Sequence, residues 1–300
     1  MYFVDLPGGL GNQLFAYFAG LYIYLQHGVK IRLQYATASK AHVEDVFNVS
    51  SFNLLLPNLQ TILPHTLLSP LFYPEKNGIT RRIQKTLGFE RVIRFTTGSD
   101  TRLHVDEYFE SIQLSYFPKR ISSYFGDFDF YDHVQSQSKK IELRKQSIEF
   151  QHFILKFANR PLIGIHIRAG DYLGLKDSIG LLGDNYYLQS ITEAREIHPN
   201  ALVLIFSNDP AYAKSRTKRW GLDKFELISP ETLPDPAESL VLMSRCNSII
   251  TSNSTFSLWA AKLSEENTAV WTPIEWRKDG WPEVKNIPTT WRRVQNSWEA

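Results

Sequence analysis

The 300-residue chain has one cysteine, Cys246. That excludes an internal disulfide and a cysteine zinc cluster. Cys246 lies in an apolar run and reads as a small core residue. Charge of one sign is also missing: 33 Lys and Arg stand against 31 Asp and Glu, a net +2. No broad polyanion-binding surface follows, and so no nucleic-acid partner. No apolar run reaches the ~18 residues of a membrane-crossing helix. The start, Met1-Tyr2-Phe3-Val4-Asp5, lacks the basic segment of a secretory leader. A cytoplasmic, soluble protein is the expectation. Internal repeats and low-complexity segments are absent too.

What is there is core material. Apolar residues make up 43% and charged ones 21%, a globular composition, and the length fits one large domain or two ordinary ones. The second half alternates between strand and helix patterns. Strands are predicted at Leu162–Ile167, Leu202–Ser207, Lys224–Ile228, Ser248–Thr251 and Ala269–Thr272. Helices are predicted at Tyr186–Glu196, Pro210–Trp220, Ala237–Arg245 and Phe256–Leu263. Such alternation argues for an α/β, Rossmann-like domain with a parallel sheet. The tail, with Trp271, Trp276, Trp281, Trp291 and Trp298, reads as loop-rich and packed across an interdomain surface.

The first half is less regular. A helix is predicted at Leu14–Leu25 and a strand at Lys30–Leu33, then short helices and loops from Asn48 to Tyr73. A polar helix is predicted from Gln135 to Gln146. Gly78 to Arg94 carries Ile79, Ile83 and Leu87 at helical spacing, interleaved with arginines. It reads as a basic amphipathic helix: an ordinary surface helix, or one docked on an anionic membrane surface.

Three segments carry the chemistry. The apolar run Pro161 to Ile167 stops in Arg168-Ala169-Gly170-Asp171-Tyr172, a buried strand delivering polar side chains to its C-terminal end. Open α/β sheets place ligands there. Alternation puts His166 and Arg168 on one face and Ile165 and Ile167 on the other. The donor fork of Arg168 matches phosphate oxygens. Gly8-Gly9-Leu10-Gly11-Asn12-Gln13 follows the apolar Tyr2-Phe3-Val4 and reads as strand, glycine turn and helix. Thr251-Ser252-Asn253-Ser254-Thr255-Phe256-Ser257 places hydroxyls and an amide at a helix start, where free N–H groups cluster. Each also has a plain structural reading: a strand end with an Arg–Asp pair, a tight turn, a well-furnished helix cap.

Taken together, these segments resemble glycosyltransferase family eleven, the α-1,2-fucosyltransferases, in its bacterial branch. Gly8 to Phe15 resembles its glycine-rich segment, and His166 to Tyr172 its central His-x-Arg-Arg-x-Asp-Tyr motif. Ile205-Phe206-Ser207-Asn208-Asp209-Pro210 is similar to its Phe-Ser-Asp-Asp segment. Leu242 to Cys246 with Asn253 to Ser257 is similar to its last motif. The chain departs from the pattern at Ala169 (an Arg in the family), Asn208 (an acid), Ser239 (an Asp, here preceded by Glu238) and Leu258 (a Trp).

The resemblance implies two facing Rossmann-like domains, the GT-B type, divided as 1–150 on the acceptor side and 151–300 on the donor side. It implies GDP-fucose as donor and a galactose-containing oligosaccharide or lipid-linked acceptor. It also implies inversion at the sugar carbon, no metal, and a place in surface-polysaccharide (O-antigen) synthesis, with peripheral contact at the inner membrane. Arg168, His166 and Asp171 are the implied catalytic group. Ser207, Asn208, Asp209, Glu238, Asn253, Ser254, Thr255 and Phe256 are assigned to the nucleotide sugar, with Arg168. Gly9, Gly11, Asn12 and Gln13 are assigned to the sugar or acceptor. Glu238 would accept from guanine N–H groups. An arginine restored at 169 would strengthen diphosphate binding if the cleft has room. Asp127-Phe128-Asp129 matches an Asp-x-Asp metal pattern of a different fold, but Phe125, Phe128 and Phe130 point to a packed aromatic segment. The departures leave two alternatives: the same fold with another nucleotide-activated deoxysugar, GDP- or dTDP-linked, or a sugar-nucleotide-binding protein without catalysis.

Overall fold

The computed structural model describes residues 2–35, 60–62, 92–95, 100–111, 119–136, 143, 146–280 and 284–299. They form two compact units. The described residues up to 136 make the first, together with Val284–Asn286; residues 143–280 and 287–299 make the second. The change of unit therefore falls before 150, and a short piece near the chain's end belongs to the first unit. The reason for the earlier boundary is visible in the helix Ile148–Phe157: Ser147 at its start is bonded to Glu238 of the second unit.

In the first unit β1 (Tyr2–Leu6) leads through Gly8-Gly9 into α1 (Leu10–His27). β2 (Ile31–Tyr35), β3 (Gln60–Ile62), β4 (Val92–Arg94) and β5 (Lys119–Ser122) complete a parallel sheet in the order β3-β2-β1-β5-β4. Two further helices are α2 (Thr101–Ser111) and α3 (Asp129–Val134). The core is aromatic: Phe15 packs on Phe128, Phe18 on Tyr131 and Tyr22 on Phe130, at 4.8–5.4 Å between ring centroids. Phe125, Phe128 and Phe130 are all buried, as the packed segment required. Asp5 is fully buried and holds Arg120 at 2.8 Å.

Several expectations fail in this unit. α1 begins at Leu10, four residues earlier than predicted, because the helix starts directly behind the glycine turn. Val92–Arg94 is a strand paired with β5, not the end of a basic helix; the rest of that predicted helix lies outside the described residues. Of the segment 48–73 only Gln60–Ile62 is described, as a strand beside β2. Most of the predicted helix from 135 to 146 is also outside them, and Gln135 and Ser136 form a turn.

The second unit follows the predicted alternation closely. After α4 (Ile148–Phe157) come β6 (Leu162–Ile167), α5 (Asp184–Ile197), β7 (Leu202–Ser207), α6 (Pro210–Arg219) and β8 (Glu226–Ile228). Then come α7 (Pro236–Ser244), β9 (Ser248–Ile250), α8 (Thr255–Lys262), β10 (Ala269–Pro273) and β11 (Arg292–Val294). The sheet is parallel, in the order β11-β10-β9-β6-β7-β8. Ile163, Ile165 and Ile167 of β6 face one core, with Tyr186, Tyr187 and Ile191 of α5. Gly164 faces the other way, where a Cβ would lie 2.8 Å from the Cys246 sulfur. Of the tail tryptophans, Trp271 sits in this unit's core and Trp298 packs against it, while Trp281 lies outside the described residues.

Candidate functional site

The strand order fixes where a ligand can sit. From β6 the chain moves outward through β7 and β8, then returns to β9 on the other side of β6. Loops leaving β6 and β9 therefore diverge, opening a crevice at the carboxyl ends of those two strands. The first motif leaves β6 and the last leaves β9.

His166 and the residues after β9 are in contact. Its Nδ1 lies 2.7 Å from the Ser252 hydroxyl, and the Phe256 ring stacks on the imidazole at 5.2 Å. The imidazole is buried, and desolvation, helped by the positive charge of Arg168, pushes its pKa down to about 3. His166 is therefore neutral at physiological pH. Its backbone carbonyl accepts from the Tyr187 hydroxyl at 3.1 Å, which locks the strand end from the other face.

Arg168 is about a quarter exposed. One terminal nitrogen bonds both oxygens of Asp171, at 2.6 and 2.8 Å, and the guanidinium lies over the Tyr172 ring at 5.0 Å. Tyr172 in turn donates to the Asn253 carbonyl at 3.4 Å, tying the β6 loop to the β9 loop. The Arg168 Nε is buried and has no acceptor. The arrangement holds a cationic fork partly open with donor capacity unused, which suits an anion better than a closed ion pair does.

The helix starts sharpen the picture. α4, α6 and α7 are capped by the side chains of Ser147, Asp209 and Asp235. α5 has Asp184 in its first turn. α8 has neither a side-chain cap bond from Ser254 nor an acid in its first turn. α1 in the first unit shares both traits. An uncapped, acid-free N-terminus keeps its N–H groups and positive end for a ligand. In the first unit this end follows β1, which sits beside β5 where that sheet's strand order reverses.

Several predicted ligand residues are occupied by the protein itself. The Ser207 hydroxyl closes a turn on Asp209, whose carboxylate caps α6 through the Tyr212 N–H. The Asn253 amide donates to the carbonyls of Gly180 and Trp276 at 3.1 and 3.2 Å, so it braces two loops. Glu238 is buried, with one oxygen 2.5 Å from the Ser147 N–H and the other 2.6 Å from its hydroxyl. That carboxylate supports the start of α4 and offers no free acceptor to a base. Ser239 points its hydroxyl at the Leu233 carbonyl, 3.4 Å away. Gln13 is buried and donates to the Gly8 carbonyl at 2.9 Å, holding the glycine turn. Gly11 is buried in the first turn of α1, while Gly9 and Asn12 stay at least partly open. Ala169 is fully buried; an arginine there has no free cleft to enter. Asp127 and Asp129 are held by Asn286 and Arg102.

Two glycines that the motif reading passed over matter most. Gly8 (φ 56°) and Gly170 (φ 59°) adopt left-handed backbone, and a Cβ on either would meet an asparagine Nδ2 at 2.6 or 2.5 Å, Asn12 and Asn208 respectively. Glycine is the residue that adopts this backbone without strain, and any side chain there would displace the asparagine beside it. Ser252 and Tyr172 also went unassigned; their place beside assigned residues was the available signal.

The model of the family described as "Glycosyl transferase family 11" matches residues 103–291. The chain belongs to glycosyl transferase family 11. Among similar proteins, the O-antigen biosynthesis glycosyltransferase WbnK of Escherichia coli is 23% identical over 290 residues, 90% of this chain and 93% of that protein. The galactoside 2-alpha-L-fucosyltransferase SEC1 of Bos taurus is 26% identical over 159 residues, half of this chain and 43% of that protein. In fold, the chain resembles the NodZ alpha-1,6-fucosyltransferase co-crystallised with GDP: TM-score 0.54, 13% identity, 88% of this chain and 92% of that one. It also resembles a family 9 glycosyl transferase from Veillonella parvula: TM-score 0.52, 11% identity, 99% and 88%. The fold is thus of the GT-B glycosyltransferase type. Among the described residues no helix is long and apolar enough to cross a membrane.

Proposed function

We propose that this family 11 enzyme transfers L-fucose from GDP-β-L-fucose to the 2-hydroxyl of a galactose-type residue. The transfer inverts the sugar carbon, needs no metal, and belongs to the making of a bacterial surface polysaccharide. The observation that carries the reading is the β6/β9 switch point, where a half-open Arg168 meets the uncapped start of α8. The names of the bovine and E. coli relatives support the transferred sugar and the setting, and the co-crystallised GDP of NodZ supports the nucleotide.

The chemistry follows from charge. Departure of GDP leaves growing negative charge on the diphosphate and positive charge on the sugar ring. Arg168 and the positive end of α8 behind Ser254 would meet the first, and they are already in place before reaction. His166 stays neutral and adds a hydrogen bond without adding charge. Asp171 orients Arg168 rather than taking a proton. With a loose, cation-like transition state, a general base is of little consequence. Asn12, at the start of α1, would face the sugar or the acceptor. Peripheral contact with an anionic membrane would bring a lipid-linked acceptor within reach. Incubation with GDP-fucose and an array of galactose-ended oligosaccharides tests the whole reading; release of GDP with no fucosylated product on any acceptor would overturn it.

A second reading keeps the fold and changes the donor. It is favoured by Glu238 and Ser239, whose side chains bond to Ser147 and Leu233, so the Glu238 carboxylate is already engaged by the protein. Thermal shifts with GDP, UDP and dTDP separate the two readings: the largest shift from a nucleotide other than GDP selects the second.

A further inference from the structure

We propose that Asn208 is a positioning residue for Arg168, acting through the loop 169–171, and that this role requires a carboxamide. The inference rests on the reading of Arg168 as the diphosphate clamp. Asn208 follows the last residue of β7, the strand beside β6. Its Oδ1 accepts from the Ala169 N–H at 3.1 Å, and its Nδ2 donates to the Ala169 carbonyl at 3.2 Å. The same Nδ2 lies 3.4 Å from Asp171 Oδ1, the oxygen that also sits 2.6 Å from Arg168. Gly170 between them leaves room for the amide to come this close.

The side chain thus reads both backbone groups of one residue and touches the carboxylate that holds the cation. Both ends of an amide are needed, one to accept and one to donate. A carboxylate at 208 would keep the bond to the Ala169 N–H and lose the donor. It would also face the Ala169 carbonyl and Asp171 as a third acceptor. The charged and titratable groups around it are Arg168, Asp171 and Tyr172 on the β6 loop, the last kept neutral by burial, Asp209 on its own segment with the carboxylate turned to α6, and His166, buried and neutral. Beside Asp171 a carboxyl at 208 would take up a proton more readily than usual. Protonated, it again offers one donor and one acceptor.

The test is calorimetric titration of GDP into the wild type, Asn208→Asp and Asn208→Ala from pH 5 to 8, read as the ratio of each variant's Kd to that of the wild type. The ratio cancels the titration of GDP itself. For Asn208→Asp the expected ratio is at least tenfold at pH 8, shrinking as the pH falls. For Asn208→Ala the expected ratio is tenfold or more and flat with pH. Melting temperatures taken alongside keep global destabilisation apart from lost affinity. A ratio near one for Asn208→Ala, or a pH-independent ratio for Asn208→Asp, would overturn the proposal. A wild type that binds neither GDP, UDP nor dTDP would overturn the clamp reading and this inference with it.

Discussion

Arg168 and Arg216 stand in the same unit, each ion-paired and each over aromatic rings, yet they are built for opposite ends. Arg216 is buried to 1% exposure. It meets Asp184 at 2.7 Å, Glu299 at 3.0 Å and the Leu182 carbonyl at 2.9 Å, and it is caged by Tyr187, Tyr212 and Trp220. Its partners come from distant parts of the chain, so it fastens α6, α5 and the tail together. Arg168 has one carboxylate, three residues away, and one aromatic ring, and its side chain is about a quarter exposed. An arginine buried among several partners holds structure; one with a single carboxylate, half-open at the carboxyl end of a central strand, is available to substrate.

The largest expected effect breaks the first half of that contrast. Arg216→Ala removes the buried partner of Asp184 and Glu299, leaving them only the exposed Arg219, and empties the aromatic cage. The loss should be about 3–5 kcal/mol of stability, towards the lower end because both carboxylates keep some water. Denaturant unfolding measures it, and a loss below ~1 kcal/mol would put Arg216 in the same class as a surface pair.

Arg168→Ala tests the other half. Transfer should fall by at least the ~3 kcal/mol typical of a lost charge-assisted contact to developing charge, with the unfolding midpoint nearly unchanged. A variant keeping most of its kcat/KM removes Arg168 from the site. Next in size is Ala169→Arg. The methyl group is buried and both its backbone groups are held by Asn208, so overpacking should cost about 1–3 kcal/mol of stability. GDP affinity should fall or stay level; tighter binding would show that the loop has hidden room.

Near neutral pH the smallest effect is a slope. The unfolded chain binds a proton at His166 near pH 6.5, and the folded protein refuses it until about pH 3. The unfolded state therefore holds more protons in that window, and stability falls as the pH drops from 6.5 towards 3. One proton gives a slope of about 1.4 kcal/mol per pH unit. His166→Gln should remove that share of the acid sensitivity, measured as unfolding free energy from pH 4 to 7. An unchanged slope would mean that water reaches the imidazole.

Most of the second unit could be read in the sequence, because short apolar strands bounded by Gly, Pro, Asn and Asp alternate with amphipathic helices. Leu162–Ile167 and Leu202–Ser207 came out with both ends correct. Val92–Arg94 did not: three residues at a sheet edge carry no period long enough to outweigh a helical pattern running into them. The site was legible as a neighbourhood and less so as roles. A motif names residues that come together, and it cannot say whether Glu238 turns to a base or to Ser147. That choice depends on a partner 91 positions away. Gly170 and Asn208, by contrast, are intelligible only as a pair, since neither residue's constraint is visible without the other.

The return of Val284–Asn286 to the first unit has a consequence for how the chain is made. Asn286 bonds Asp127 at 2.8 Å, and Lys285 bridges the same residue. Near the other end, Gly183 and Ser297 share a backbone bond of 2.7 Å. During synthesis the ribosome releases both early partners long before the late ones exist. Neither unit can finish folding behind the other in sequence. Both must wait, partly assembled, for residues 284–297 to emerge. A nascent chain stalled before residue 284 should therefore be far more open to protease at 123–128 and 180–183 than the released protein is.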